Sequence, residues 1–123
     1  MNFLRAFDNW TNTETHKDGS VIFSASEPAD ALFLVLEGEI VLTLRGHPLS
    51  NEGRGALIGE MAIIDDTARN ATAVASGTVR LARISPDEFR DLITEDPEFS
   101  LHAMAELARR LRAVDVLLGS RIE

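Results

Sequence analysis

Between residues 19 and 84 the sequence repeats one pattern: short runs of β-branched and other apolar residues, separated by turn residues at nearly regular intervals. The clearest runs read SVIF, LFLVL, IVLTL, ATAVA and VRLARI. Runs of this length bounded by glycine, proline or serine are typical of strands, and short links between them favour antiparallel hairpins. The pattern predicts an antiparallel jelly-roll or β-roll sandwich, with turns at Glu37-Gly38, Gly46-His47-Pro48 and Ser76-Gly77.

After this segment the pattern becomes helical. Ser85-Pro86-Asp87-Glu88 has the composition of a capping box, with serine as N-cap, proline at the first helical position and glutamate at the third. Asp96-Pro97 repeats that start, so two C-terminal helices are expected over residues 86–118.

A short helix is also expected before the strands, over residues 3–9, because Phe3, Leu4 and Phe7 have helical spacing. The predicted fold class is therefore mainly β with flanking helices. One short helix within residues 58–72 completes this prediction.

The second C-terminal helix carries one apolar stripe. Its members alternate in spacing between three and four residues, as in a packed helix face. Docking of this stripe on the sandwich is the favoured interpretation, since few heptads are present, and pairing with a second copy as a short coiled coil is the alternative. The stripe consists of Met104, Leu107, Leu111, Val114 and Leu118.

Length, charge and cysteine content restrict the class of protein. A chain of 123 residues is expected to form a single domain over residues 1–123. It has no cysteine, which excludes disulfides and thiolate metal sites and fits a cytoplasmic location. No apolar run is long enough to span a membrane. A net charge of −8 opposes binding to nucleic acid or to anionic lipid.

The stretch GEMAIIDDTARNATAVA, residues 59 to 75, combines a glycine, an acid and a base among small residues. Gly59 permits close approach of a ligand, and a helical turn after it would direct N–H groups at an anion. The planar fork of Arg69 matches two phosphate oxygens, whereas Glu60 is suited to a hydroxyl donor such as a ribose 2′-OH. The alternative is a structural ion pair of Arg69 with Glu60, Asp65 or Asp66.

This stretch resembles the phosphate-binding cassette of the cyclic-nucleotide-binding domain family, which includes the catabolite activator protein and the regulatory subunit of the cAMP-dependent kinase. The motif is Gly-Glu, an apolar pair, a short loop, then Arg, a small residue and Ala. Further segments that resemble the family are KDGSVIF, ADALFLVLEG and FRDLITEDPEFSLHAMAELARRLR, so the resemblance covers nearly the whole chain. It implies a cyclic nucleotide as ligand and a β-roll as fold.

The resemblance also implies roles for single residues. Arg69 would hold the cyclic phosphate, Glu60 would accept the ribose hydroxyl, and backbone amides around Gly59 would complete the phosphate site. The base would lie against a strand and one arginine of the last helix, taken as Arg112 in preference to Arg109 or Arg110. The remaining residues of the implied site are Leu42, Ile58, Met61, Ala62, Asn70 and Ala71.

Three positions depart from the family pattern. Ser26-Glu27 stands where Gly-Asp is frequent, Ile58 replaces an aromatic residue, and Asn70 stands where serine, threonine or alanine is usual. A hydroxyl after the arginine favours guanine in some members, whereas Asn70 could donate to the base, to the phosphate or to neither. The predicted ligand is cAMP in preference to cGMP.

The same sequence bears on other classes of protein. A cupin-type metal enzyme needs clustered imidazoles, but His16, His47 and His102 lie on separate segments, so neither a metal nor an enzyme activity is expected. The predicted function is a sensor that signals through its C-terminal helix, to a second copy or to an effector protein. A ligand-free interaction module, or the sensor fragment of a transcription regulator, remains the alternative.

Overall fold

The computed structural model describes residues 3–117, in which a sheet of six strands is flanked by helices. A short 3-10 helix covers Phe3–Phe7. The strands are β1 Thr13–His16, β2 Val21–Phe23, β3 Leu32–Leu44, β4 His47–Glu52, β5 Leu57–Ile58 and β6 Thr72–Ile84. The helices are α1 Glu60–Asp65, α2 Pro86–Glu95 and α3 Pro97–Leu117. The mainly β, antiparallel fold class is confirmed.

The two long strands β3 and β6 form the centre of the sheet. Every pairing is antiparallel, the main order is β1-β6-β3-β4, and β2 and β5 pair with β6 and β3 respectively. Strand β1 was not predicted, because its sequence TETH contains no apolar residue that would mark a half-buried strand. It nevertheless pairs with β6 over Thr13 to His16.

One of the three predicted turns is present, with only its first residue, Gly46, in the turn itself, and the other two are not turns. The link between β3 and β4 is a two-residue hairpin in which Arg45 and Gly46 both have positive φ. By contrast, β3 runs through Gly38 and β6 runs through Gly77. The pairing register of β3 with β6 shifts on both sides of Glu37, so these glycines mark an irregularity within continuous strands rather than their ends.

The predicted starts of both C-terminal helices are confirmed. The Ser85 hydroxyl accepts from the Glu88 amide at 3.1 Å, and the Glu88 carboxylate accepts from the Ser85 amide at 2.9 Å. Asp96 Oδ1 accepts from the Phe99 amide at 3.1 Å and so caps α3. These bonds satisfy amides that the helix itself leaves free.

The N-terminal helix is a 3-10 helix that ends two residues earlier than predicted, and it anchors one end of the core. Phe7 is buried between Trp10 and Phe99, with ring centroids at 4.7 Å and 6.1 Å. The indole N–H of Trp10 donates to the Arg83 carbonyl at 2.9 Å. This segment therefore fastens β6 to α3.

The packed face of α3 differs from the predicted stripe. Phe99 and Ala103 are buried against the sheet, whereas Met104 and Leu111 are 57% and 67% exposed. The docking interpretation is therefore wrong for these two residues. Apolar periodicity indicated the wrong face because the C-terminal part of the packed face is polar. There Glu106 and Arg110 bind the backbone of β5. The side chain of Val114 and all of Leu118 lie outside the described part.

Candidate functional site

The site is built around the segment that connects β5 to β6. Helix α1 begins directly after Gly59 and ends at Asp65. The next residue, Asp66, has a left-handed backbone, and the amides of Asp66 and Thr67 both donate to the Ala62 carbonyl. The loop that follows is joined to the segment before β3. Ser26 N donates to Arg69 O at 2.8 Å, and Arg69 N donates to Glu27 O at 2.9 Å. The predicted short helix is thus present, and two strands plus this loop fix its position.

Gly59 is required at its position for two reasons. Its φ of 78° lies in the left-handed region, which side chains other than glycine rarely adopt. A Cβ atom there would also fall within contact distance of Arg69 Nη1 and 3.2 Å from the Phe23 ring. Arg69 consequently packs directly beneath the backbone of Gly59.

Arg69 is only 6% exposed, and its guanidinium is bound by the protein itself. Nη1 donates to the Gly59 carbonyl at 3.0 Å and Nη2 to the Ala31 carbonyl at 2.6 Å, while Nε has no partner. The guanidinium carbon lies 4.2 Å from the centroid of the Phe23 ring. Burial lowers the pKa of Arg69, and the nearby charge of Asp30 opposes this effect.

The alternative ion pair of Arg69 is not formed. Among the described residues, neither Glu60 nor Asp65 nor Asp66 forms an ion pair with Arg69. Glu60 is 2% exposed and binds Arg110 instead: Nη1 of Arg110 donates to Oε1 of Glu60. Its other oxygen, Oε2, is buried and has no hydrogen-bond partner.

Arg110 belongs to a group of charged side chains that joins α3 to β4 and β5. Its Nη2 donates to the Leu57 carbonyl and lies 3.4 Å from Glu52 Oε1. Arg109 Nη2 donates to the same Glu52 oxygen at 2.6 Å. Glu106 Oε1 accepts from the Leu57 amide at 3.2 Å. Helix α3 is therefore held against the site by ion pairs and by hydrogen bonds to the backbone of β5, in addition to the apolar contacts of Phe99 and Ala103.

Glu52 stays ionised in this group. Burial alone would raise its pKa, but the neighbouring Ser50 side chain and the hydrogen bonds and charges of Arg110 and Arg109 outweigh burial and hold the pKa below its ordinary value. Burial lowers the pKa of Arg109, but the hydrogen bonds and charges of Glu52 and Glu106 outweigh this effect and raise that pKa above its ordinary value.

A cavity of about 160 Å³ opens between α1, β4 and α3, and we call it the cassette cavity. Its walls combine apolar side chains with the Glu60 carboxylate and two guanidinium groups. It is lined by Phe23, Leu42, Leu49, Ser50, Gly59, Glu60, Met61, Asn70, Ala71, Arg109 and Arg110.

Most of the residues implied by the resemblance lie at this cavity, and four do not line it. Those that line it are Leu42, Gly59, Glu60, Met61, Asn70 and Ala71. Ile58, Ala62 and Arg69 are buried behind its wall. Arg112 is exposed and does not line it, whereas Arg109 and Arg110 do. Two helical residues turn the side chain by about 200°, so Arg112 projects away from the face that presents Arg110.

Sequence reasoning missed Phe23, Leu49 and Ser50 of the cavity wall, and it passed over Arg109 and Arg110 in favour of Arg112. Strand β4, which carries Leu49 and Ser50, reads HPLSNE and contains proline and a single apolar residue, so nothing marked it as a strand. Phe23 was counted only as part of an apolar run. Nothing in the sequence around Phe23 indicates that its ring contacts the guanidinium of Arg69.

Two negative findings concern the described residues 3–117. No group of three or more histidine, cysteine, aspartate or glutamate side chains there is arranged to hold a metal ion. No helix in this part of the chain is both long and apolar enough to cross a membrane.

Comparison with known proteins places this site in context. Residues 13–96 match the family described as the cyclic nucleotide-binding domain. The chain is 34% identical over 109 residues to the cyclic AMP receptor protein of Thermus thermophilus, covering 84% of this chain and 50% of that protein. It is 30% identical over 109 residues to a CRP-like cAMP-activated global transcriptional regulator of Mycobacterium tuberculosis, covering 85% and 49%.

Comparison of the fold with solved structures also finds a relative in this family. The crystal structure of the Thermus thermophilus catabolite activator protein superposes with a TM-score of 0.78 at 30% identity, covering 94% of this chain and 57% of that one. The chain thus spans about half the length of the curated relatives that it matches.

Proposed function

Because the chain belongs to the family of cyclic nucleotide-binding domains, we propose that it is a sensor that binds a cyclic nucleotide, cAMP in preference to cGMP, in the cassette cavity. Binding is read out by α3, which supplies part of the cavity wall. The family consists of nucleotide-binding domains, and we propose no catalytic role for any residue of the site.

The observation that carries this proposal is the arrangement of Glu60. Arg110 binds one carboxylate oxygen and fixes the orientation of the group, while the other oxygen is buried without a partner. A buried acceptor without a hydrogen bond costs about 1–3 kcal/mol, and charged groups cost more. A ribose hydroxyl that enters the cavity would donate to this oxygen and remove that cost.

The phosphate is assigned to the wall formed by Gly59, Asn70 and Ala71. These residues offer backbone amides, small side chains and the Asn70 amide, whose Nδ2 donates to Met61 Sδ at 3.5 Å. Arg69 lies directly behind this wall and supplies the positive charge. For direct contact with the phosphate, its Nη1 exchanges the Gly59 carbonyl for a phosphate oxygen.

The base is assigned to the apolar part of the cavity, between Leu42, Leu49 and Met61. Arg109 closes this part from α3, and its planar guanidinium is suited to stack on a purine. The preference for cAMP rests on the absence of a hydroxyl side chain after Arg69 and on the names of the relatives, which are a cyclic AMP receptor protein and a cAMP-activated regulator.

Helix α3 transmits the signal because it is bonded to the ligand site on one face and exposed on the other. Arg109 and Arg110 line the cavity. On the opposite face Leu101, Met104 and Leu111 are 58%, 57% and 67% exposed. Their spacing is that of a helix-pairing seam, and a second copy of the chain is its partner.

The direct test is calorimetric titration of nucleotide-free protein with cAMP, cGMP and 2′-deoxy-cAMP. We expect one saturable site with the lowest Kd for cAMP. Glu60→Gln should weaken cAMP binding about tenfold or more, the loss expected of a hydrogen bond to a charged group, and should change binding of the 2′-deoxy analogue less than about twofold. Glu39→Gln, which removes an exposed carboxylate on β3, serves as the matched control.

Two results would contradict the proposal. Folded, nucleotide-free protein that shows neither binding heat nor a rise in Tm with any of the three nucleotides is not a sensor of this ligand class, and its exposed helix face then becomes the functional surface. Recovery of linear nucleotide after incubation with cAMP would instead indicate an enzyme.

A further inference from the structure

Glu52 is a buried carboxylate that lies outside the cassette cavity but contacts two of the side chains that line it. It is the last residue of β4 and is 2% exposed. Its Oε1 accepts from Arg109 at 2.6 Å and lies 3.4 Å from Arg110 Nη2. A strand residue behind the cavity wall is thus bonded to both arginines that α3 presents to the ligand.

This arrangement depends on α3 being in place. A carboxylate removed from water is strongly destabilising unless cations and hydrogen bonds compensate it. Here the compensating cations, Arg109 and Arg110, come from α3. If α3 moves away, Glu52 loses both partners, so its charge favours the position of α3 seen in the structure.

Arg110 connects Glu52 to the proposed ligand-binding carboxylate. Its Nη1 donates to Glu60 Oε1, and its Nη2 donates to the Leu57 carbonyl beside Glu52. The guanidinium is planar and rigid, so the direction of one amino group determines the direction of the other. Because Glu52 and the Leu57 carbonyl orient Nη2, they also orient Nη1 and its hydrogen bond to Glu60 Oε1.

We propose that Glu52 is a positioning residue of the nucleotide site: it orients Arg110 so that Glu60 keeps Oε2 available for the ligand hydroxyl, and it couples that contact to the position of α3. This inference rests on the proposed function. It assigns to Glu52 a part in ligand recognition without any contact to the ligand.

The test compares Glu52→Gln with wild type using cAMP and 2′-deoxy-cAMP, and Glu39→Gln is the control that removes an exposed charge. In wild type we expect about a tenfold preference for cAMP over the analogue. In Glu52→Gln this preference should fall below about threefold, because Glu60 is no longer held in position. If Glu52 serves only stability, both ligands weaken by the same factor and the preference stays at its wild-type value, which would overturn the proposal.

A second measurement does not depend on the ligand. Amide hydrogen exchange of ligand-free protein should be at least tenfold faster in α3 over residues 104–112 of Glu52→Gln than in wild type, with α2 unchanged. Equal exchange rates would refute the coupling to α3. If wild type binds no cyclic nucleotide, the proposed function fails, and exchange alone decides whether Glu52 holds the helix. Should Glu52→Gln not fold, Glu52→Asp keeps the charge on a shorter side chain and should show the same changes at smaller size.

Discussion

The guanidinium of Arg69 lies between the backbone of Gly59 and the ring of Phe23, with its central carbon 4.2 Å from the ring centroid. Gly59 has no side chain that would displace it, and Phe23 supplies an aromatic face that attracts a cation. The cassette arginine therefore forms part of the protein interior as well as part of the proposed phosphate site. Its substitution must affect folding and binding together.

Arg69→Ala should lower the free energy of unfolding by about 2–4 kcal/mol, because it leaves the Gly59 and Ala31 carbonyls without their donors and opens a gap beside Phe23. Urea unfolding followed by circular dichroism measures this difference. Arg112→Ala removes an exposed arginine and should change stability by less than about 0.5 kcal/mol. Equal stability of the two variants would show that the interior contacts of Arg69 contribute nothing.

Gly59→Ala should be more damaging than Gly19→Ala. Both glycines have positive φ, 78° and 82°, so both variants acquire backbone strain of about 1–2 kcal/mol. A methyl group at Gly19 meets no atom within 4 Å, whereas one at Gly59 collides with the Arg69 guanidinium. The extra loss of stability and of cAMP affinity in Gly59→Ala measures this collision. Matching losses in the two variants would mean that Arg69 moves aside without cost.

Stability should fall in acid partly through Glu52. In the folded protein its pKa lies below the ordinary value of 4.5, so the folded state binds its proton less readily than the unfolded state does. The contribution is therefore complete above about pH 4.5 and is lost as the pH falls through the lower, folded pKa. The groups that surround it are Ser50, Arg109 and Arg110.

Unfolding curves of wild type and Glu52→Gln across this range provide the measurement. The difference in free energy of unfolding between the two proteins should be constant near neutral pH and should shrink as the pH falls below about 4.5. A difference that does not change with pH would show that Glu52 keeps its ordinary pKa.

Self-association through α3 should be lost when its exposed seam becomes charged. Leu111→Glu combined with Met104→Glu should convert a dimer into a monomer, as measured by sedimentation velocity, because it places carboxylates in an apolar contact. Ile93→Glu on α2, which is 39% exposed, is the matched control and should leave the sedimentation coefficient unchanged. A monomeric wild-type protein at every accessible concentration would refute the pairing of α3.

The sheet and both C-terminal helices were predictable because their signals are local. Apolar runs mark β3 and β6. The serine and glutamate three residues apart, Ser85 and Glu88, mark the start of α2, where they form the predicted capping box. Polar strands such as β1 have no such signal, since pairing with β6 rather than composition makes them strands. Gly38 was misread because a glycine within a strand and a glycine in a turn look the same in sequence.

The site was predictable only where the motif specifies residues one by one. Gly59, Glu60, Asn70 and Ala71 lie together at the cavity, as the motif implies. Glu60 and Glu52 both bind Arg110 of α3, which lies 50 and 58 residues further along the sequence, respectively. To choose among the arginines of α3 one must know which face of the helix packs on the sheet. The apolar residues Met104 and Leu111 indicated the wrong face, because they are exposed.

Trp10 provides a natural optical probe of this architecture. It is the single tryptophan of the chain, it packs on Phe7, and its indole is bonded to the backbone of β6. It does not line the cassette cavity. Its fluorescence will therefore report detachment of the N-terminal segment and global unfolding, with no direct quenching by a bound nucleotide. Any emission change on titration with a nucleotide would show that binding in the cavity alters the packing of the N-terminal segment on β6.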